Sequence, residues 1–154
     1  MRPLDNAAIA ERLLDAVAAA PLLGQLFESK EGSWLLECPS GSGLWLEWEA
    51  EAMVLAVSTA LGRPEPRQEM ASLNLALACN QHWHGRQFLR IARDGTDGDL
   101  LLLDQIQLAT LTADALADEL LHFEAVRTLW SHTLRGIGRT PNSPLPSDLL
   151  GQRA

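Results

Sequence analysis

Leu44, Leu46 and Trp48 alternate with Trp45, Glu47 and Glu49 along six consecutive residues. A period of two belongs to a β-strand, because successive side chains point to opposite faces. Leu44, Leu46 and Trp48 define a face for the core. Glu47 and Glu49 define one that meets water, as an antiparallel sheet permits and a one-residue slip of register would destroy. The neighbouring segments must therefore supply either further strands or a cover for the apolar face.

Residues 33–38 and 53–60 also have strand character. They are separated from 44–49 by Pro39-Ser-Gly-Ser-Gly43 and by the acidic residues 49–51, and the three segments predict an antiparallel meander. Upstream, Ile9, Leu13, Leu14, Val17 and Ala20 recur at helical spacing over 4–20, with Asp5 or Asn6 as a cap and Pro21 and Gly24 marking the end. A second helix is expected over about 68–81, through Met70, Leu73, Leu75, Leu77 and Ala78. Strands near 86–93 and 100–108 flank the hairpin-turn residues Asp94-Gly-Thr-Asp-Gly98. A last helix starts at the capping Thr112, carries Leu116, Leu120, Phe123, Val126, Trp130 and Leu134, and stops at Gly136. The expected fold is α+β: a five-stranded antiparallel sheet and three helices in the order α-β-β-β-α-β-β-α. It occupies a domain at 1–136, and a flexible C-terminal tail with Pro141, Pro144 and Pro146 follows at 137–154.

The 154 residues allow one domain, and a 47% hydrophobic content is that of a chain that folds. A net charge of -8 sets a low expectation for nucleic-acid binding, since phosphate would be repelled on average. Cys38 and Cys79 lie far apart in apolar surroundings, which fits free thiols in a reducing compartment better than a disulfide framework. The start of the chain does not read as a cleaved signal, and the apolar runs are too short for a membrane span, so the expected location is cytoplasmic, without membrane insertion.

Residues that could carry chemistry have structural explanations close at hand. His82 and His84 flank Trp83 and would point the same way in a strand, but a third metal ligand is not identifiable. Asp94, Asp97 and Asp99 fall in a glycine-containing turn, where aspartate serves the backbone. Asp114, Asp118 and Glu119 fall in the first turns of the last helix, where its dipole favours negative charge. A Gly-x-Ser-x-Gly elbow, a flanked reactive cysteine and a phosphate-cradling loop are missing. The expectation is no catalytic residue, no metal and no cofactor. The alternatives from other classes are a metal-assisted hydrolase using His82 and His84, and a sensory domain holding a small apolar ligand. Among the five tryptophans Trp45 stands apart, because the alternation puts it beside Glu47 on the wet face, where an aromatic can mark a binding surface.

The element order, the acidic balance and three pieces of sequence resemble the class I type III secretion chaperones, the CesT-like (Tir chaperone) family of small acidic proteins that bind secreted effectors. The pieces are Leu-Trp-Leu-Glu-Trp-Glu at 44–49, Ala-Leu-Ala-Cys-Asn-Gln-His at 76–82, and Leu-Leu-Leu-Leu-Asp-Gln-Ile-Gln-Leu at 100–108 followed by Thr112-Ala-Asp-Ala-Leu116. The likeness spans about 4–134. Asn80-Gln-His-Trp-His84 also resembles the junction in family members that act as anti-anti-activators and sequester a regulator. The resemblance implies an α+β protomer, a homodimer built largely through the second helix, an extended partner segment wrapped around it, and no catalytic residue. The partner would be a secreted effector or a secretion regulator, kept soluble and competent for secretion.

Two surfaces can be argued from the residues themselves. Met70, Leu73, Leu77 and Cys79 do not share one side of the second helix with Leu75 and Ala78, so one sheet cannot bury them all. Met70, Leu73, Leu77 and Trp83 are the expected dimer interface. For partner binding, Trp45 on the wet face is joined by Leu35 at the same parity and extended by Val54, Ala56 and Phe88, with Glu47 and Glu49 at the rim. An antiparallel sheet with unpaired edges could accept an added strand while apolar pockets take its alternate side chains.

Overall fold

The computed structural model describes residues 4–81 and 89–137. Helix α1 (Asn6–Ala19) is followed by strands β1 (Gln25–Lys30), β2 (Ser33–Glu37), β3 (Gly43–Glu49) and β4 (Val54–Gly62). Helix α2 (Glu69–Gln81), strands β5 (Arg90–Arg93) and β6 (Leu100–Ile106), and helix α3 (Ala113–Gly136) complete the order. The fold is α+β with three helices, and the strands form one sheet in the order β1-β2-β3-β4-β6-β5. Among the described residues the sheet has six strands and not five.

The additional strand is β1. Its sequence, Gln-Leu-Phe-Glu-Ser-Lys, lacks the apolar alternation of β3, and it is exposed along its length apart from a half-buried Leu26. An edge strand need not bury a face, so hydrophobic periodicity could not reveal it. Two glycines hold it in place. Gly32, at φ +73°, closes the tight Glu31-Gly32 turn onto β2, and Asn6 on α1 donates from Nδ2 to Glu31 Oε1 at 3.2 Å. Gly24, at φ +102°, lets the chain enter β1 so close to β2 that a Cβ there would collide with the Glu37 carbonyl oxygen. Only glycine tolerates both that dihedral and that approach.

The chain groups into two compact units. In the first, residues 4–59 with 105–124, Leu36, Leu44, Leu46, Leu55 and Val57 are buried on one face of β2 to β4. Ile9, Leu13 and Ala16 of α1 and Leu116, Leu120 and Phe123 of α3 belong to the same buried set, at the i, i+3, i+4 and i+7 spacing of helical stripes. Asp5 caps α1 by accepting from the Ala8 N–H at 2.9 Å, and Thr112 caps α3 by accepting from the Ala115 N–H at 3.2 Å. The turn after β2 is tied down by Ser40 and Ser42, whose hydroxyls donate to Glu124 Oε1 at 2.7 and 2.9 Å.

The second unit comprises the described residues of 60–104 and 125–137, with Leu75, Ala76, Ile91, Leu100, Leu102 and Trp130 buried. The hairpin turn expected at 94–98 joins β5 to β6, with Arg93 opposite Leu100 and the Asp94 N–H donating to the Asp99 carbonyl at 2.9 Å. Among the described residues, no helix is long and apolar enough to cross a membrane.

Candidate functional site: an apolar row on the wet face of the sheet

The register of β1 to β4 sets the geometry of the candidate site. Phe27 lies opposite Leu35, Leu35 opposite Trp45, and Trp45 opposite Ser58, so one row of side chains crosses four strands. Cross-strand partners of this kind are near enough to touch a common ligand segment. Phe27 is 45% exposed and Trp45 44%, while Leu35 between them is half-buried. Two aromatic rings standing in water on a chain with twenty acidic residues are a costly arrangement for a surface that stays empty.

The neighbouring rows are polar. On one side Ser33 lies opposite both Lys30 and Glu47, and Lys30 Nζ stands 3.8 Å from Glu47 Oε1 with both side chains largely exposed. On the other side Gln25 lies opposite Glu37, which lies opposite Gly43. An apolar centre with a charged rim is the anatomy of a protein-binding patch.

Leu35 and Trp45 come together as adjacent partners. Ala56, opposite Glu47, and Val54, opposite Glu49, share their face. Val54 is only 8% exposed, however, so it offers little surface. Phe88, Trp83, His82 and His84 lie outside the described residues. Phe27 was missed in the sequence because its strand was missed; the signal available was the pair Leu26-Phe27 just before the Glu31-Gly32 turn.

On α2 the apolar residues divide as their spacing requires. Ser72, Leu75 and Ala76 are buried, whereas Met70 is 72% and Leu77 67% exposed, seven residues apart on one side, with Leu73 half-buried between them. Cys79, half-buried on the same helix, has its thiol pKa pushed up by burial, which disfavours the thiolate.

The α+β arrangement has close structural counterparts. A chain of the ExsC–ExsE complex superposes with a TM-score of 0.63 at 20% identity, over 85% of this chain and 97% of that one. A chain of the HopA1–SchA chaperone–effector complex superposes at 0.62 and 17% identity, over 84% and 99%. The heterodimeric ExoU–SpcU complex from the type III secretion system of Pseudomonas aeruginosa supplies a third, at 0.54 and 20% identity, over 75% and 91%. No curated protein matches the chain by sequence. Residues 12–130 match the Tir chaperone protein (CesT) family, and the chain belongs to that family of type III secretion chaperones.

Proposed function

We propose that this chain is a homodimeric, non-enzymatic escort that holds an extended segment of a secreted effector, or of a secretion regulator, against the Phe27–Leu35–Trp45 row. The observation that carries this reading is the row itself: three apolar side chains in register on the wet face of an antiparallel sheet, flanked by Lys30, Glu47 and Glu37. An extended segment places alternate side chains on such a surface while its backbone stays available for pairing with a sheet edge. Holding the segment extended keeps it from folding, and that needs neither a nucleotide nor a metal. HopA1–SchA, a chaperone–effector complex built on the same fold, supports the assignment.

The dimer would form through Met70, Leu73 and Leu77. In an isolated protomer Met70 and Leu77 stand in water, and a two-fold contact of α2 with its counterpart would cover them. A protein in this role would act in the cytoplasm, and the tail at 137–154 would lie outside the partner-binding domain.

Affinity purification of the chain from its native host, followed by identification of the bound protein, tests the reading. The expected product is a chaperone dimer carrying one secreted protein or its regulator. A monomer that retains a small molecule in native mass spectrometry, or that depends on a stoichiometric metal ion, would overturn it in favour of a sensory domain or a hydrolase.

A further inference from the structure

An open sheet has two edges, each presenting backbone N–H and C=O groups that an added strand can pair with. Here the edges are β1 and β5. Strand β5 pairs with β6 through Arg90↔Leu103, Ile91↔Leu102, Ala92↔Leu101 and Arg93↔Leu100. In an antiparallel pair, alternate residues turn their N–H and C=O toward the neighbour, and those between turn them away. Ile91 turns both away from β6. Its N–H donates to Asn80 Oδ1 at 2.9 Å, and its carbonyl accepts from Asn80 Nδ2 at 2.8 Å.

A primary carboxamide offers a donor and an acceptor in one plane, as a residue in a strand does along its edge. Asn80 therefore closes with Ile91 the two-bond ring that a residue of a seventh strand would otherwise close. Ile91 is an inner residue of a strand only four residues long, so engaging it takes the centre of the edge. The helix that carries Asn80 is held to β5 a second time, by Glu69 in its first turn, whose Oε1 lies 2.5 Å from Arg93 Nη2. The other edge differs: residues 25–28 of β1 run in regular register with β2 and are exposed except for half-buried Leu26, before the irregularity between Glu28 and Lys30.

We propose that Asn80 is an edge plug, closing β5 to pairing with the β5 edge of a second copy of this chain and leaving β1 as the edge open to an added strand. The choice of β1 by a partner rests on the reading of this chain as a binder of extended segments. The plug does not, and it is tested on the protein alone.

The test compares wild type with Asn80→Ala and Asn80→Asp, reading hydrogen exchange at the Ile91 amide and molar mass by light scattering over a concentration series. In wild type the Ile91 amide is expected to exchange slowly for an edge residue, and mass should not rise above that of the basic assembly. In Asn80→Ala, loss of one bond to the amide should speed its exchange about threefold to tenfold, and species of higher mass should grow with concentration. Asn80→Asp keeps the acceptor for the Ile91 N–H but loses the donor to its carbonyl, so exchange should stay slow while mass growth still occurs. Unchanged Ile91 exchange in Asn80→Ala would overturn the plug, and so would faster exchange without mass growth, which would make the contact an anchor for α2 alone. Should Asn80→Ala fail to fold, Asn80→Asp decides, and a mass series identical to wild type overturns the proposal. Neither readout involves a partner, so failure here leaves the chaperone reading intact.

Discussion

Replacing Trp45 by alanine isolates the contribution of the apolar row. Trp45 is 44% exposed, and a tryptophan offers roughly 150–250 Å² for burial, so about 100 Å² remains for a partner to cover. At about 25 cal/mol per Å² that area corresponds to about 2.5 kcal/mol. Because a partner seldom covers all of it, the expected loss of binding free energy is about 2 kcal/mol, a Kd raised about thirtyfold. The free protein should change little: its loss is the cross-strand contact with Leu35 and Ser58, worth about 0.2–1 kcal/mol. Isothermal titration with the co-purified partner reads the first effect, and a urea midpoint reads the second. Trp45→Phe, which keeps most of the ring area, should recover most of the affinity. A folded Trp45→Ala protein that binds within about twofold of wild type would refute the assignment of this row to the partner.

Three further outcomes follow from other parts of the molecule. Leu77→Glu puts a charge at a position 67% exposed in the protomer, so it should leave a folded monomer if α2 is the dimer interface, and an unchanged mass by light scattering rejects that interface. Gly24→Ala must adopt φ near +102° and meet the Glu37 carbonyl oxygen, so it should lose about 3 kcal/mol in denaturant unfolding; a loss below about 0.5 kcal/mol would show that β1 re-enters the sheet another way. Burial raises the Cys79 thiol above its ordinary 9.0, so alkylation by iodoacetamide at pH 8 should be slower than in the unfolded chain. Since the neutral thiol is the form favoured by folding, its stabilising effect is full below pH 9.0 and is lost as pH rises through the folded pKa, a decline that Cys79→Ala should remove from a stability profile taken above pH 9.

Local chemistry was enough for much of the fold. The alternation from Leu44 to Glu49 determined which residues of β3 are buried, because side-chain direction within a strand is set by parity alone, whereas the pairing register decided that Val54 and Ala56 share the face of Leu35 and Trp45, since both faces of their strand carry apolar residues. The Asp5 and Thr112 caps, the turn at 94–98 and the two-sided apolar character of α2 were legible for the same reason: each depends on residues a few positions apart. Tertiary structure decided what depends on distant partners. Strand β1 carries no periodic signal of its own and exists because Gly24 and Gly32 let it lie against β2, which is how Phe27 joins Leu35 and Trp45. Asn80, read along the chain, is one polar residue near the end of a helix. Only the fold brings its carboxamide to Ile91, eleven residues away, since edge pairing is a relation between backbones that no spacing of side chains encodes.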